Sequence, residues 1–436
     1  MSEPDDTRSV REYIAQRLRG AESELPTTAL GRLARTALSA FRARRFLQIG
    51  NEVADLEALV KLVASLGELK GVAMKAGQLL SYVDMPLPPQ LQEALSVLQT
   101  QSPAMPLSRI TEILRGELGA DAGPILASIE PTPVSAASIG QVHRARLPDG
   151  REVAVKVRYP EIDQALAADF RPAAVGARIA AIVYPGAPVE PMMRELRARF
   201  LEECDYLHEA RMQMRFGELF REHPVIIVPE VYPRFSSGRV LTTAWVEGRH
   251  LESFLATTPS QGQRDRVGEA LLEFYVGTLY RHGLYNCDPH PGNYLFLPDG
   301  RVAMLDYGCT REFDRPFVAN LAALTRAVQV DDRSELETTF QKLGLLVRHS
   351  DFETARSLMR SFYGPMLRDE RCPMTSGDAR SLGQLFQSKR ELMKLSIPGE
   401  FLFLFRIRFG LMSVLARLGA QANWLQLERR FAREAG

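Results

Sequence analysis

The chain has 436 residues, of which 45% are hydrophobic, with 54 basic and 53 acidic side chains. This length and composition allow a large buried core that is divided over two or three lobes or domains. The nearly neutral charge argues against a general polyanion-binding role, so we expect no nucleic acid among its partners. Four widely separated cysteines have no metal-ligand spacing and indicate thiols in a reducing compartment.

The N-terminal region is predicted to be mainly helical as far as about residue 130. Within it, the stretch 27–50 has apolar positions on one helical face and carries five arginines without an acidic residue. A basic amphipathic helix of this kind can lie on an anionic membrane surface, or it can pack its apolar face against its own domain. No apolar run is long enough to span a membrane. We therefore expect a cytoplasmic protein, either soluble or peripheral to the inner face of the membrane.

A β-rich section follows, and it has the layout of a nucleotide-binding hairpin. Two runs of strand-forming residues are joined by Asp149-Gly150, a dipeptide that suits a tight turn with positive φ. The second run alternates and can direct Lys156 into a cleft. A glycine-rich loop followed by a strand lysine opens the protein-kinase signature. On this segment alone, an ordinary surface hairpin is equally compatible with the pattern.

The loop departs from that signature at two of its three glycine positions. These positions read Ser135, Ala137 and Gly140, and Val142 follows, so that only the last glycine is present. Glycine lets a loop close flexibly and lets its backbone approach phosphates. Alanines are therefore expected to stiffen the loop and to change how a nucleotide is held.

A long charged helix is predicted next, followed by strands and then by a mainly helical half that begins near residue 250. Asp205 and Glu209 share one face of that helix, where a carboxylate is ordinarily only a solvated charge. In the strand region, Ala244 and Val246 are candidate hinge positions whose backbone could pair with adenine; a buried strand end is the alternative. This order, in which strands are followed by one helix, further strands and a larger helical half, is typical of a bilobal kinase-like fold.

The helical half contains a second set of residues with kinase spacing. Asp288 precedes Asn293 by five residues, and Asp306-Tyr307-Gly308 comes thirteen residues later, after a short hairpin. Kinase catalytic loops and metal-binding turns follow each other in this order. Asn293 and Asp306 can supply hard oxygen ligands for Mg²⁺, and Asp288 would face the attacking hydroxyl or water. The pair Asn286-Cys287 stands where His-Arg is usual, which alters the surroundings of Asp288.

With these motifs, the chain resembles the UbiB family of atypical kinases, which includes the mitochondrial coenzyme Q biosynthesis proteins. The resemblance covers about residues 55 to 430. It rests on the K-x-G-Q signature in MKAGQLLS (Lys75, Gly77 and Gln78), the alanine-rich loop SAASIGQVH, the E-x-D element in EECDYLHEA (Glu203 and Asp205), and the segments DPHPGN and LDYG.

The resemblance implies an α+β, bilobal protein-kinase-like fold with an N-terminal helical extension and a mainly helical C-terminal lobe. It also implies that the K-x-G-Q extension folds across the cleft where a peptide would bind, and that Glu209 pairs with Lys156. The expected segments are a basic amphipathic segment at 1–54, the K-x-G-Q extension at 55–130, an N-lobe at 131–248 and a C-lobe at 249–436.

The implied cofactors are ATP and Mg²⁺, and each candidate residue has an expected role. The catalytic candidates are Asp288, Lys156 and Lys75, and the metal candidates are Asn293 and Asp306. The candidates for binding the nucleotide are Ser135, Ala136, Ala137, Ser138, Gly140, Val142, Lys156, Glu209, Ala244, Val246, Gln78, Glu203 and Asp205.

The expected activity is Mg²⁺-dependent ATP hydrolysis or small-molecule phosphorylation that supports quinone or isoprenoid-lipid synthesis. The expected partners are a phenolic or isoprenoid lipid, quinone-biosynthesis proteins and an anionic membrane surface. In the family, the alanine-rich loop is taken to act as a brake on protein phosphorylation. The alternatives are a phosphotransferase that acts on a small hydroxyl compound or on a protein, and a nucleotide-gated scaffold of a biosynthetic complex without turnover.

Overall fold

The computed structural model describes residues 105–137, 139–160, 204–345, 351–375 and 398–435. The described residues divide into two compact units. The first contains the described residues up to Leu207 together with Tyr232–Thr243, and the second contains His208–Val231 together with the described residues from Ala244 onward. The predicted basic segment at 1–54 and most of the predicted extension at 55–130 lie outside the described residues.

The first unit is built on a four-stranded sheet with strand order β1-β2-β3-β5. Strands β1, β2 and β3 are antiparallel neighbours, and two helices precede them in the chain. The elements are α1 (Leu107–Leu118), α2 (Ala122–Leu126), β1 (Ser135–Ala137), β2 (Gly140–Arg146), β3 (Glu152–Arg158) and β5 (Val240–Ala244).

One face of strand β3 forms part of the core of this unit. Val153, Val155 and Val157 are fully buried, whereas the residues between them are half-buried. This alternation is the period of a strand with one face toward the core. It places Lys156 on the face opposite the three valines, as the sequence pattern predicts.

The turn between β2 and β3 uses the pentapeptide LPDGR, which occurs again at 297–301 and forms the same turn there. In each copy the glycine amide donates to the leucine carbonyl, and the aspartate carboxylate accepts from the arginine side chain. Gly150 has φ 87° and Gly300 has φ 84°, a region that glycine adopts without a steric penalty. The predicted hairpin at Asp149-Gly150 is therefore confirmed, and local chemistry accounts for it.

The second unit is mainly helical and encloses a large aromatic and aliphatic core. The described residues of this unit form three small sheets: β4-β8-β7, β6-β9 and β10-β11. Its helices are α3 (Tyr206–Leu219, whose first two residues belong to the first unit), α4 (Leu251–Leu255), α5 (Gln261–Leu272), α6 (Thr278–His282), α7 (Arg315–Val330), α8 (Arg333–Lys342), α9 (Phe352–Tyr363), α10 (Gly399–Leu418) and α11 (Trp424–Arg433). Its strands are β4 (Ile226–Ile227), β6 (Leu284–Asn286), β7 (Tyr294–Phe296), β8 (Val302–Met304), β9 (Thr310–Glu312), β10 (Cys372–Pro373) and β11 (Gln421–Ala422).

This unit also contains a π-helical turn and a buried ion pair. A π-helical turn, Glu273–Gly277, joins α5 to α6 and places Tyr275 inside the core. An ion pair between Arg408 and Glu428 is buried, and the guanidinium stacks on the rings of Phe362 and Tyr363 at 4.6 Å each. In the described part of the chain, no helix combines the length and the apolar character needed to cross a membrane.

Candidate active site

The candidate residues of the first unit lie along strands β1 to β3. Lys156 pairs directly with Val142 across β2 and β3, so the two side chains share one face of the sheet. The ammonium nitrogen of Lys156 lies 4.9 Å from the centre of the Tyr206 ring, close enough for a cation–π contact. Both side chains of the Lys156–Val142 pair are half-buried. The lysine is thus held on a partly solvated face beside an aromatic ring.

The alanine-rich loop is an antiparallel hairpin in which Ser135 pairs with Val142 and Ala137 pairs with Gly140. The backbone of Ala136 pairs with that of Gln141. Serine and alanine are therefore accommodated as strand residues, and Ser135 is exposed.

Gly140, the one remaining glycine, has a steric reason to be glycine. A β-carbon at this position would lie 2.3 Å from the carbonyl oxygen of Val157 and 2.9 Å from the hydroxyl oxygen of Tyr206. The backbone of β3 comes too close to allow any side chain. The requirement for glycine at this position thus follows from strand packing alone, whatever its contribution to nucleotide binding.

In the second unit, Asp288 and Asn293 are joined by hydrogen bonds. The Asn293 side-chain amide donates to the Asp288 carboxylate at 2.9 Å and to the Asp288 carbonyl at 3.1 Å. A turn of 3-10 helix, Pro291–Asn293, brings the two residues together, and the His290 ring nitrogen accepts from the Gly292 amide at its start. Asp288 and Asn293 are half-buried, so water or a ligand can reach them.

Asp306 lies on the neighbouring strand end. The backbone amide of Leu305 donates to the carbonyl of Asn293 at 3.0 Å, which places the two predicted metal ligands on adjacent chain segments. The Asp306 carboxylate accepts from the Gly308 amide at 2.9 Å and thereby shapes the Asp-Tyr-Gly turn. Tyr307 is fully buried, packs on Phe216 and donates to a backbone carbonyl, and burial raises the pKa of its hydroxyl well above the usual value.

The oxygen donors at this place fit a magnesium ion. The amide nitrogen of Asn293 is engaged with Asp288, so its carbonyl oxygen is the atom that can face a cation. Asp306 adds a carboxylate, and Mg²⁺ in nucleotide sites commonly takes only one or two protein ligands beside phosphates and waters. Among the described residues, no group of three or more His, Cys, Asp or Glu side chains could hold a metal ion. A metal bound here would therefore depend on phosphate oxygens as well.

Glu209 belongs to the first turn of α3 and is buried. A β-carbon at Gly308 would be 3.4 Å from a carboxylate oxygen of Glu209 and 3.4 Å from one of Asp306, so both carboxylates face the same glycine. Because Lys156 and Glu209 belong to different units, their predicted pairing stays a prediction. Asp205 accepts from the Leu207 amide at 3.0 Å, which is the contact of a helix N-cap.

The remaining candidates fall into two groups. The amide of Ala244 donates to the carbonyl of Glu230 at 2.7 Å, and Val246 is half-buried nearby in sequence. The Ala244 amide is thus already engaged within its own unit, and the contact of Ala244 and Val246 with adenine stays a prediction. Four candidates, Lys75, Gln78, Ser138 and Glu203, lie outside the described residues.

Two buried side chains near Asp288 were not predicted from the sequence. Asn286 donates to the Asp306 carbonyl at 2.8 Å and accepts from the Asp288 amide at 3.1 Å. The Tyr275 hydroxyl donates to the Asp288 carbonyl at 3.3 Å and contacts the Tyr294 hydroxyl at 3.0 Å. The only sequence signal for Asn286 is its place two residues before Asp288, where kinases carry the histidine of His-Arg-Asp.

The residues with the spacing of a kinase catalytic loop and metal-binding turn thus lie close together in the second unit. The family model for the ABC1 atypical kinase-like domain matches residues 97–339, more than half of the chain. The chain belongs to this family. The predicted resemblance to the UbiB atypical kinases, the α+β kinase-like fold and the enzyme class are thereby confirmed.

Individual relatives agree with the family assignment. The chain is 27% identical over 366 residues to AarF domain-containing protein kinase 1 of Xenopus laevis, a match that covers 81% of this chain and 69% of the relative. It is 28% identical over 290 residues to the mitochondrial atypical kinase COQ8 of Saccharomyces cerevisiae, covering 66% of this chain and 57% of that protein. A solved structure, the Rv3197–erythromycin complex from Mycobacterium tuberculosis, is 30% identical with a TM-score of 0.58, and the match covers 83% of this chain and 92% of that one.

Proposed function

We propose that the chain is a Mg-ATP-dependent atypical kinase-like ATPase that supports quinone or isoprenoid-lipid synthesis at a membrane surface. The observation that carries the proposal is the hydrogen-bonded pair of Asp288 and Asn293 on a chain segment adjacent to Asp306. In phosphoryl transfer the protein mainly positions groups and stabilises charge, so a fixed carboxylate beside two metal-type ligands is the arrangement that the chemistry needs.

Each residue has a proposed part in this reaction. Asn293 and Asp306 would hold the magnesium ion, which, when bound, neutralises negative charge on the phosphates. Asp288, oriented by Asn293, accepts the proton of the attacking water or hydroxyl. Lys156 compensates phosphate charge from the sheet of the first unit, and Glu209 is proposed to hold Lys156 in place.

The alanine-rich loop and the predicted extension define what kind of acceptor the enzyme takes. We propose that the loop of Ser135, Ala136, Ala137 and Ser138 binds the nucleotide more stiffly than a glycine-rich loop does. Lys75, Gln78 and Glu203 would line the site, so that bulky peptide acceptors are excluded. Water or a small hydroxyl compound is then the expected acceptor.

A small-molecule phosphotransferase is the second candidate. The Mycobacterium tuberculosis protein of similar fold was solved in complex with erythromycin, which is a small organic molecule. That observation favours a small-molecule acceptor over a peptide if the chain transfers phosphate instead of hydrolysing ATP.

The test is phosphate release from Mg-ATP by the full chain, with and without anionic liposomes and a soluble phenol that mimics a quinone precursor. Asp306→Asn is the blank, because it removes a carboxylate from the proposed metal site and keeps the shape of the side chain. We expect turnover that rises several-fold with liposomes and phenol and that is absent in the variant. Turnover at blank level with ATP still bound would contradict the ATPase proposal. In that case, phosphorylated phenol would indicate the transferase, and its absence a nucleotide-gated scaffold.

A further inference from the structure

We propose that Asn286 is a positioning residue that holds the Asp288 loop and the Asp306 turn in one fixed arrangement. The proposal rests on the proposed function, because it assigns Asp288 and Asp306 to the reaction. Asn286 itself would touch neither the nucleotide nor the metal. Its effect would be exerted through the backbone of the two acidic residues.

The structure places Asn286 at the point where the two segments diverge. It is the last residue of β6 and pairs with Thr310, the first residue of β9. One step further along, the Cys287 amide donates to the Cys309 carbonyl at 2.7 Å. Beyond this pair the chains separate, toward Asp288 on one side and toward Asp306 on the other. Strand pairing therefore ends just short of the two acidic residues.

The Asn286 side chain continues the connection where the strand ladder stops. Its amide nitrogen donates to the Asp306 carbonyl at 2.8 Å, and its carbonyl oxygen accepts from the Asp288 amide at 3.1 Å. The side chain is buried, with 2% of its surface exposed, so water does not compete for these hydrogen bonds. One planar group thus joins the backbone of both acidic residues.

This role requires a side chain that offers a donor and an acceptor at the same time. An amide does so, and a neutral imidazole also has one donor and one acceptor nitrogen. An aliphatic side chain of similar size fills the space and makes neither bond. Asn286→Leu and Asn286→His are therefore the informative pair of substitutions, the first removing both contacts and the second able to restore them.

Loss of the two contacts should act on catalysis and on metal use. A small displacement of a catalytic group can cost about 10²-fold in rate, and loss of a residue that orients a metal ligand typically costs about 10–100-fold in metal affinity. We expect Asn286→Leu to lower kcat for ATP hydrolysis about 10- to 100-fold and to raise the half-saturating Mg²⁺ concentration about 10-fold. The KM for ATP should change much less, since the first unit supplies much of the proposed nucleotide contact.

A matched control separates positioning from simple loss of stability. Thr325 is also buried and also joins two partners, the hydroxyls of Tyr280 and Tyr363 at 2.6 and 2.7 Å, in the helical core. Thr325→Val removes these contacts, together with the hydrogen bond from the Thr325 hydroxyl to the Leu321 carbonyl at 3.0 Å, at nearly constant volume. We expect Thr325→Val to lower the Tm as Asn286→Leu does, while its kcat and Mg²⁺ dependence stay at wild-type values below the Tm.

The experiment measures kcat, KM for ATP, half-saturating Mg²⁺ and Tm for the full-length wild type and the three variants. The proposal is supported by a lower kcat and a higher half-saturating Mg²⁺ concentration in Asn286→Leu, provided that both values recover in Asn286→His. The proposal would be overturned if Asn286→Leu kept the wild-type kinetics or if Asn286→His did not recover kcat. An equal loss of kcat in Thr325→Val would also overturn it. If the wild type releases no phosphate, the proposed function fails. The positioning role is then decided by Mn²⁺ affinity measured by electron paramagnetic resonance in the presence of a non-hydrolysable ATP analogue, where equal affinities in wild type and Asn286→Leu overturn it.

Discussion

Replacing Gly140 by alanine tests whether the one remaining glycine of the loop serves packing or phosphate binding. The added methyl carbon would be 2.3 Å from the Val157 carbonyl oxygen and 2.9 Å from the Tyr206 hydroxyl, and neither approach is tolerated by a real side chain. The nearer obstacle is backbone in a paired strand, so it cannot rotate away. Strands β2 and β3 would have to separate at Gly140, which pairs with Arg158.

The size of the effect follows from that geometry. Overpacking a dense interior typically costs about 1–3 kcal/mol, and a rigid backbone obstacle favours the upper half of this range. We expect Gly140→Ala to lower the free energy of unfolding by about 2–3 kcal/mol, which corresponds to a fall in Tm of about 4–12 °C. Adding Tyr206→Phe removes the second obstacle and should restore part of the loss.

Urea unfolding and thermal melting of the purified chain provide the assay, with Gly238→Ala as the control. A β-carbon at Gly238 has no neighbour within 4 Å, so that variant should unfold like the wild type. If Gly140→Ala kept the wild-type stability and only raised the KM for ATP, packing would not explain the glycine. Phosphate binding would then be its main role.

Three further predictions concern the buried ion pair, the acidic π-helical turn and the loop. Arg408→Met should lower the free energy of unfolding, measured in urea, by about 3–5 kcal/mol because it leaves the Glu428 carboxylate buried without its partner. The double variant Arg408→Met with Glu428→Leu should recover most of this loss. The pKa of Glu273 is lowered to about 2, first by the His223 imidazole 3.8 Å away and then by a hydrogen bond from Arg281 at 2.6 Å. Its carboxylate therefore stabilises the fold above about pH 4.5 and loses this effect as the pH falls toward 2. Glu273→Gln should therefore be less stable at pH 7 by about 1–2 kcal/mol, and at pH 2 the difference should fall below about 0.5 kcal/mol. Ala137→Gly should tighten ATP binding or produce autophosphorylation, and unchanged behaviour in both titration and radiolabelling assays would contradict the stiff-loop proposal.

Several features could be predicted from the sequence because the forces that set them are local. The LPDGR turns form wherever the pentapeptide occurs, since the glycine, the proline and the Asp–Arg contact all lie within five residues. The side of β3 that carries Lys156 follows from strand alternation alone. The order of Asp288, Asn293 and Asp306 predicts their roles, and the adjacent strand ends bring Asn293 and Asp306 together.

Other features depend on contacts between distant parts of the chain. Gly140 must be glycine because the Val157 carbonyl of the paired strand comes too close, and the Tyr206 hydroxyl, sixty-six residues away in sequence, adds a second obstacle that no local pattern predicts. Tyr275 reaches Asp288 because a π-helical turn rotates it into the core, and π-helices have no simple sequence signal. Asp205 is a different case: a short acidic residue just before a helix is a recognisable N-cap, so its contact with Leu207 could have been predicted.

The pair Asn286-Cys287 illustrates how a departure from the kinase signature can preserve its geometry. The Cys287 thiol donates to the Tyr285 carbonyl at 3.1 Å and the side chain has no exposed surface, so an arginine there would need a buried partner for its charge. Asn286 keeps a donor and an acceptor toward the two acidic residues, as the histidine of His-Arg-Asp could. The replacement therefore retains the link between loop and turn and removes the cation. Cys287 therefore cannot offer the cation with which a phosphorylated activation loop pairs in many kinases.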